Sequence, residues 1–370
     1  MRYLITIILS IIVSFLSYQF FAQQALVYTN SDTSLSAPTK RVVDLENFGL
    51  QDLENELIDT VNTVKDSVVS ILVTKDFVMY DGRQASGLIK QQIWWGSGIV
   101  VSPEWYILTN KHVVDDPDAS YTVMFADGET AQAAEAWLDP TLDIAVLKVE
   151  KSLLWDRTIA QAVPFGQQTQ VWQFVLAIGN ALAEFSNSVT FGVISGKNRK
   201  LTLDNENLYA WLLQTDTSIS EWNSWGPLFD LDGNVVGINT AVSSLGENIG
   251  FAIPISQEFV TATLSAIQKY DALTRPFVWV RYIDLSIEVA RELDIDAVEW
   301  VYVAEVVDGT PADMAGIRPD DIITHIDWLL VDMTNPFLYQ LFTKSPGDTV
   351  EITVNSEWIS KVAQLVLSNQ

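Results

Sequence analysis

From Ser67 onward the chain consists of short apolar runs rich in valine and isoleucine, separated by glycine, aspartate, asparagine and proline. Many short β-branched runs at this spacing are typical of an all-β barrel or sandwich. Residues Gln257–Tyr270 instead repeat their apolar positions with a helical period and predict an amphipathic helix that closes this block. After Asp271–Pro276, about 95 residues mix strands with short helices. We therefore predict a mostly β chain with domains over 61–270 and 275–370.

The first 22 residues, Met1–Ala22, hold one arginine followed by an apolar run of about 18 residues, which is long enough to span a bilayer as a helix. A cleaved signal peptide is the alternative, but its apolar core is normally shorter and ends in a small-x-small site. Phe20-Phe21-Ala22 fits such a site poorly, so an uncleaved anchor is the favoured interpretation. Residues 23–60 are polar and predict a linker. Both alternatives place the rest of the chain outside the cytoplasm.

Charge and composition exclude several classes of function. A net charge of −26 leaves no basic surplus for a phosphate backbone, so nucleic acid is not an expected partner. The absence of cysteine and the presence of only two histidines, His112 and His325, exclude thiol nucleophiles and multi-histidine metal sites. We predict no metal and no cofactor. Tryptophan is unusually frequent, at 13 against 18 glycines, and glycine falls below its usual share of about 7%.

Three polar residues stand where nucleophilic catalysis could use them. His112 follows an apolar run at a turn, Asp143 opens the run DIAVLKV, and Ser224 lies in a tight turn before an Asp-Gly hairpin. A serine hydroxyl needs an imidazole to accept its proton, and that imidazole needs a carboxylate to fix its tautomer. Taken singly, each residue is more often structural: a satisfied histidine, a turn cap and a turn serine. Their joint order and their local contexts favour catalysis.

Short motifs surround these residues: GSGIV (96–100), YILTNKHVV (106–114), DPTLDIAVLK (139–148), LAIGN (176–180), QTD (214–216), NS (223–224), GPL (226–228), LDG (231–233), GINTA (237–241) and NIGFAIP (248–254). In order and spacing they resemble the HtrA (Deg) family of trypsin-like envelope proteases, and the resemblance covers about residues 60–370. It implies a chymotrypsin-like double β-barrel. In that fold His112 would be the general base, Asp143 its orienting carboxylate and Ser224 the nucleophile.

The second domain carries the runs VVDGTPADMAGIRPDDII (306–323) and PGD (346–348). They resemble the PDZ domain that follows such proteases, an α+β domain that binds extended C-terminal peptides by adding a strand to a sheet edge. The resemblance implies that the peptide carboxylate is held by the loop Phe277, Val278, Trp279 and Val280. His325 lies in this domain and is interpreted as a strand residue.

The resemblance also implies specificity, regulation and assembly. Segments 218–221 and 245–251 would wall the specificity pocket, and Leu245 and Ile249 would make it apolar. Arg199 matches a family arginine that senses the PDZ domain or its peptide, with a solvated loop arginine as the alternative. One anchor, one protease domain and one PDZ domain resemble the stress-sensing members. The chain would then be a homotrimer, anchored in the cytoplasmic membrane with both domains outside, and would act on unfolded or membrane-protein substrates.

One motif departs from the family pattern at the nucleophile. The family has Gly-Asn-Ser-Gly-Gly-Pro, whereas residues 222–227 read Trp-Asn-Ser-Trp-Gly-Pro. Backbone N–H groups at Trp222, Asn223 and Ser224 would form the oxyanion hole, where glycine permits a conformation that a side chain resists. Losing one such donor lowers the rate about 10²- to 10³-fold. Further tryptophans also stand at family glycine positions: Trp105, Trp137, Trp172, Trp279, Trp300, Trp328 and Trp358.

Turns written Asp-Trp or Glu-Trp lack the turn chemistry that Asp-Gly and Glu-Gly provide. We therefore hypothesise that the source reads UGA as glycine and that the printed tryptophans include recoded glycines. The native nucleophile motif would then be Gly-Asn-Ser-Gly-Gly-Pro. The alternative is a catalytically silent peptide-binding scaffold, a pseudoprotease without a working oxyanion hole. The remaining tryptophans are not assigned to a family glycine: Trp94, Trp95, Trp155 and Trp211.

Overall fold

The computed structural model describes residues 49–81, 84–150, 169–181, 185–201, 209–220, 223–242, 249–295, 300–332, 335–356 and 359–369. The predicted anchor and most of the predicted linker lie outside the described residues. Within these ranges, no helix has both the length and the apolar character that crossing a bilayer would require. The described chain is mostly β, as the apolar runs predicted.

Helix α1, Leu50–Val64, precedes the first barrel and begins inside the segment that the sequence analysis assigned to the linker. Leu57, Val61 and Val64 recur on one helical face and pack against the main core cluster. The Thr60 hydroxyl donates a 2.6 Å hydrogen bond to the carbonyl of Leu231. This apolar face and this bond explain why the segment folds onto the domain.

Six antiparallel strands close the first barrel in the order β1-β2-β3-β6-β5-β4. Successive side chains point to opposite faces of a strand, so Val69 and Ile71 lie in the core of this barrel. The preceding residue, Val68, belongs instead to the larger core cluster, which also contains residues of the second barrel. The strands are β1 (Val68–Asp81), β2 (Gln84–Val100), β3 (Tyr106–Thr109), β4 (Ala119–Met124), β5 (Thr130–Leu138) and β6 (Ala145–Val149).

A second closed barrel has the order β10-β11-β12-β9-β8-β7. Helix α2, Gln257–Tyr270, follows it and has the bounds that the sequence predicted. The Ser256 hydroxyl caps its start by accepting from the Phe259 N–H, and it ends at Asp271, which has a left-handed φ of 50°. The strands are β7 (Phe174–Ala181), β8 (Phe185–Leu201), β9 (Tyr209–Thr215), β10 (Pro227–Phe229), β11 (Val235–Val242) and β12 (Gly250–Pro254).

The C-terminal domain is a sheet of order β14-β15-β16-β18-β19, with β17 paired to β16 and a separate pair β13-β20. Its strands are β13 (Pro276–Phe277), β14 (Val280–Asp284), β15 (Val301–Val306), β16 (Ile322–Ile326), β17 (Leu329–Leu330), β18 (Thr349–Ser356), β19 (Ile359–Val366) and β20 (Ser368–Asn369). Short helices are present, as predicted, and one of them lies between β14 and β15. The helices are α3 (Ile287–Glu292), α4 (Pro311–Met314) and α5 (Phe337–Phe342).

Candidate active site

His112 and Asp143 meet at the end of the first barrel. His112 follows β3 in a single 3₁₀ turn, Lys111–Val113, and Asp143 lies two residues before the start of the buried strand β6. The His112 Nδ1 atom lies 2.8 Å from Asp143 Oδ2 and 2.9 Å from Oδ1, and the His112 backbone N–H donates to Oδ1 at 3.1 Å. Because a carboxylate only accepts, Nδ1 carries the proton and Nε2 is left as the acceptor.

The Asp143 carboxylate is fully buried and surrounded by donors. Asn110 Nδ2 donates to Asp143 Oδ2 at 3.0 Å and to its backbone carbonyl at 3.2 Å. The Thr240 hydroxyl, from β11 of the second barrel, donates to Oδ2 at 2.9 Å. These bonds offset the cost of burying the charge and fix the orientation of His112. Sequence reasoning missed both donors: Asn110 lies beside His112 in its motif, whereas no sequence signal joins Thr240 to a residue 97 positions away.

Ser224 lies in a turn that the Asn223 side chain anchors. The Asn223 Oδ1 atom accepts from the Ser220 N–H at 2.8 Å, and its Nδ2 group donates to Thr190 Oγ1 at 2.8 Å and to the Ser218 carbonyl at 2.9 Å. Asn223 is buried. Its amide therefore ties the nucleophile turn to segment 218–220 and to β8.

The backbone N–H of Ser224 is engaged inside its own loop. It donates a 2.8 Å hydrogen bond to the Ser220 carbonyl, which also accepts from the Asn223 N–H at 3.1 Å. A donor that is bonded in this way cannot stabilise an oxyanion until that bond breaks. Among the described residues, no hydrogen bond joins the Ser224 hydroxyl to His112. Trp222 lies outside the described residues.

The indole of Trp225 lies next to the imidazole. Its ring packs edge-on against His112, with 5.6 Å between ring centroids, and is tilted against the ring of Trp94, with 5.4 Å between centroids. Trp225 has a left-handed φ of 70°, a conformation that is a real outlier for a bulky residue. A glycine here would remove both the indole and the strain.

Left-handed backbone is confined to a narrow set of residue types. Apart from glycine, every described residue with positive φ is an asparagine, an aspartate or a tryptophan. Asparagine and aspartate tolerate this region, whereas tryptophan does not. The five tryptophans are Trp105 (φ 66°), Trp172 (φ 71°), Trp211 (φ 47°), Trp225 (φ 70°) and Trp279 (φ 62°). Four of them are among the positions where the sequence analysis found a tryptophan in place of a family glycine; Trp211 is a further one.

Two of these tryptophans also bury an unpaired donor. The Nε1 atoms of Trp105 and Trp211 are buried without a hydrogen-bond partner, an arrangement that costs free energy. Trp95 shares the unpaired donor but not the left-handed φ. The described tryptophans with no left-handed φ are Trp94, Trp95, Trp137, Trp300 and Trp328. Trp155 and Trp358 lie outside the described residues.

Two segments that the sequence assigned to the specificity pocket come together. A Cβ atom on Gly250 would lie 2.5 Å from Ile219 Cγ1, so segments 218–221 and 245–251 touch at this point. Ile249 is half-buried and packs against the main core cluster. Leu245 and Glu221 lie outside the described residues.

Arg199 lies on β8, where its Nε atom donates to the Gln214 side chain at 2.9 Å. Two lysines near it on β8 interact electrostatically with aspartates of the C-terminal domain. Burial lowers the pKa of Lys197, and the charge of Asp332 opposes that shift. Burial raises the pKa of Asp284, with Lys200 opposing.

The predicted carboxylate loop begins at β13 and leads into β14, the strand at one edge of the described sheet. Val278 is buried, and the Trp279 indole N–H donates to the Ser368 hydroxyl. The Tyr282 ring of β14 packs edge-on against Phe337 of α5, with 5.2 Å between centroids. Strand β14 and helix α5 therefore meet through this pair of rings.

Comparison with known proteins agrees with this architecture. Residues 96–238 match the trypsin-like peptidase domain, and residues 283–357 match the PDZ domain. A probable periplasmic serine endoprotease, DegP-like, from Rickettsia conorii is 32% identical over 234 residues, which are 62% of this chain and 44% of that protein. A protein of the same description from Chlamydia pneumoniae is 33% identical over 267 residues, which are 71% of this chain and 52% of that protein.

The chain thus spans about half the length of these relatives. Among solved structures, the HtrA-type protease AlgW with a decapeptide is 27% identical, with a TM-score of 0.60, over 85% of this chain and 98% of that one. The predicted double barrel followed by one PDZ domain is confirmed.

Proposed function

We propose that the chain is a member of the HtrA family of trypsin-like serine proteases and an ATP-independent serine endopeptidase of the cell envelope, because it matches a trypsin-like peptidase domain and one PDZ domain. It cleaves unfolded or regulatory proteins, and C-terminal peptides bound to the PDZ domain regulate it. The observation that carries this proposal is the buried Asp143 carboxylate, which holds His112 Nδ1 at 2.8 Å and leaves Nε2 as the base.

In the proposed mechanism, His112 Nε2 takes the proton of the Ser224 hydroxyl as its oxygen attacks the scissile carbonyl. The resulting imidazolium is stabilised by Asp143 and returns the proton to the leaving amine, which leaves an acyl-enzyme on Ser224. Water then attacks the ester by the same proton path. The backbone N–H of Ser224 must leave the Ser220 carbonyl to bind the oxyanion, so the described loop corresponds to a latent state.

Regulation follows from this latent state. A peptide that binds better when the loop is open shifts the population toward the active arrangement. Arg199 is the proposed sensor, since β8 carries it beside Lys197 and Lys200, which face the acidic residues of the PDZ domain. Arg199→Ala should reduce peptide stimulation of hydrolysis. An unchanged stimulation would exclude this role.

We further propose that the tryptophans with left-handed φ, together with Trp222, are glycines in the native protein. The backbone conformations support this, because tryptophan is strained in them and glycine is not. Tandem mass spectrometry of the native peptide that spans Ser224 tests it directly. Glycine at 222 and 225 would restore the family motif, whereas tryptophan at both would refute the recoding.

A catalytically silent peptide-binding scaffold is the second candidate function. Three observations favour it for the chain as printed: the engaged Ser224 N–H, the missing Ser224–His112 bond within the described residues, and the Trp225 indole on the imidazole. Hydrolysis of an unfolded substrate separates the two candidates. An endopeptidase loses hydrolysis on Ser224→Ala, whereas a scaffold has no hydrolysis for that substitution to abolish.

Location and assembly are proposed from the N-terminal sequence and the family. The apolar run of residues 1–22 would anchor the chain in the cytoplasmic membrane with both domains outside, as in stress-sensing members, and the protein would be a homotrimer. Resistance of the native protein to alkaline extraction, and loss of that resistance when residues 1–22 are deleted, test the anchor. Sedimentation equilibrium of the detergent-solubilised chain tests the trimer, and a monomer mass would exclude it.

A further inference from the structure

Arg275 is buried where the chain passes from α2 into the PDZ domain, with about 1% of its side chain exposed. Its Nε atom donates to Asp139 Oδ2 at 2.7 Å, and Nη2 lies 2.6 Å from the same oxygen without the alignment of a second hydrogen bond. Nη1 donates to the Thr263 hydroxyl of α2 at 3.1 Å. A buried guanidinium therefore joins the interdomain connection to a carboxylate of the protease domain.

The other oxygen of Asp139 holds the turn that carries Asp143. Asp139 Oδ1 accepts from the backbone N–H groups of Thr141 and Leu142, both at 2.9 Å. The Asp139 N–H donates to the Ile144 carbonyl at 2.9 Å, which closes the loop around Asp143. The position of the Asp143 carboxylate thus depends on Asp139, and Arg275 supplies the charge that Asp139 needs to be buried.

Arg275 also contacts the PDZ domain. Its guanidinium carbon lies 4.4 Å from the ring centre of Phe259 in α2 and 5.2 Å from that of Phe342 in α5. Both distances suit cation–π attraction. Helix α5 carries Phe342 at one end and Phe337 at the other, and Phe337 meets Tyr282 of β14. One short helix therefore touches both the side of the sheet where a peptide would add and the buried arginine.

We propose that Arg275 is a positioning residue that couples the PDZ groove to the His112–Asp143 pair, an inference that rests on the proposed function of both sites. A peptide that enters between β14 and α5 moves α5, and with it Phe342. The guanidinium follows because it is planar, lies against both rings and is hydrogen-bonded at its edge. Asp139 then shifts the turn around Asp143. The coupling through Arg275 acts on the general base His112, whereas the coupling proposed through Arg199 would act on the loop that carries Ser224.

The histidine content of the chain gives a direct measurement. Only His112 and His325 are present, so ¹⁵N-histidine labelling of the full chain in detergent yields two imidazoles, one in each domain. The probe is a synthetic decapeptide with three apolar C-terminal residues and a free carboxylate. Its binding is followed independently by fluorescence anisotropy. The spectra report the His112–Asp143 hydrogen bond whether or not the chain hydrolyses peptides.

Two variants and one matched control are compared. Arg275→Lys keeps the charge but loses the planar fork, and Phe342→Leu removes the ring contact while leaving the Arg275–Asp139 pair in place. Arg318→Lys is the control, because Arg318 forms an exposed ion pair with Asp313 at 2.8 Å in the PDZ domain. Circular dichroism and the thermal midpoint establish that each variant is folded. If Arg275→Lys does not fold, Phe342→Leu decides the coupling.

We expect the decapeptide to shift the His112 resonance in the wild type and in Arg318→Lys, and the shift to be lost in both test variants. Arg275→Lys should also displace the His112 resonance before any peptide is added. Peptide-stimulated kcat/KM should fall about 2- to 30-fold in Phe342→Leu, the range for coupling residues. A His112 resonance that stays in place at saturating peptide, or that responds equally in the test variants, would overturn the proposal.

Failure of the proposed function gives a different result. If the anisotropy shows no peptide binding, the PDZ assignment fails, and the peptide-free comparison still tests the positioning role. An Arg275→Lys spectrum identical to the wild type would then overturn it. If the peptide binds and His112 responds but no substrate is cleaved, the coupling stands and the endopeptidase assignment fails.

Discussion

The tryptophans with left-handed φ can be tested by substituting glycine and alanine at two sites. Glycine should give the more stable protein at one site and alanine at the other. Trp172 and Trp328 are both largely exposed, at 79% and 86%, but only Trp172 has a left-handed φ, of 71°. Trp172 is the third residue of the turn 170–173, whose Gln173 N–H donates to the Gln170 carbonyl at 3.2 Å. A positive φ at this position is the mark of a type II turn, which favours glycine there.

Comparing Gly with Ala at the same site cancels the loss of the indole. A side chain in the left-handed region costs about 1–2 kcal/mol, and glycine loses about 0.5–1 kcal/mol relative to alanine through the entropy of the unfolded chain. At position 172 the first effect is larger, so Trp172→Gly should be more stable than Trp172→Ala by about 1 kcal/mol. At position 328 only the entropy applies, so Trp328→Ala should be more stable than Trp328→Gly by about 0.5–1 kcal/mol.

Thermal unfolding followed by circular dichroism measures the midpoint of the domain that carries each substitution. A difference of about 1 kcal/mol corresponds to about 2–4 °C in the larger protease domain, and to about 4–8 °C in a domain of 60–100 residues such as the PDZ domain. The reasoning is refuted if alanine equals or exceeds glycine at 172, or if glycine exceeds alanine at 328. Either result would mean that backbone strain does not distinguish these tryptophans, and the conformational support for recoding would be withdrawn.

Three further predictions follow from single contacts. Thr240→Val should lower the free energy of unfolding by about 1.5–3 kcal/mol, because a buried hydrogen bond to a charged carboxylate is lost. The same substitution should lower kcat more than it changes KM. Thr240→Ser keeps the hydrogen bond to Asp143, so it should leave both the stability and kcat unchanged. Asp139→Asn should cost about 3–5 kcal/mol in urea unfolding, since it leaves a buried guanidinium unpaired; a cost below 1 kcal/mol would contradict the burial. The hydrogen bond from Lys75 lowers the pKa of Asp116, so the stability that this carboxylate contributes is complete above its unfolded pKa and is lost as pH falls through its folded pKa. The acid limb of the curve of stability against pH should therefore flatten in Asp116→Asn, and an unchanged acid limb would contradict the prediction.

Local sequence patterns predicted much of the fold. The β-branched runs predicted the strands because a strand needs only period-two apolar positions and a turn at each end. Helix α2 was predicted at both ends because its apolar positions repeat with a helical period, which is a property of residues near one another in the chain. The predictions at His112, Asp143 and Ser224 rested on motifs whose chemistry is carried by a few neighbouring residues.

Contacts between distant segments could not be predicted in this way. Thr240 reaches Asp143, and Arg275 reaches Asp139 across 136 positions, because the closed barrels and the interdomain connection bring these segments together. The turn in which the Ser224 N–H is engaged likewise depends on a distant contact, because the Asn223 side chain that anchors it bonds to Thr190 of β8. Periodicity, caps and motifs involve residues that are near one another in the chain, so they can be recognised in the sequence. Which buried charge meets which donor, and whether an oxyanion donor is free, depends on packing between segments far apart in the chain.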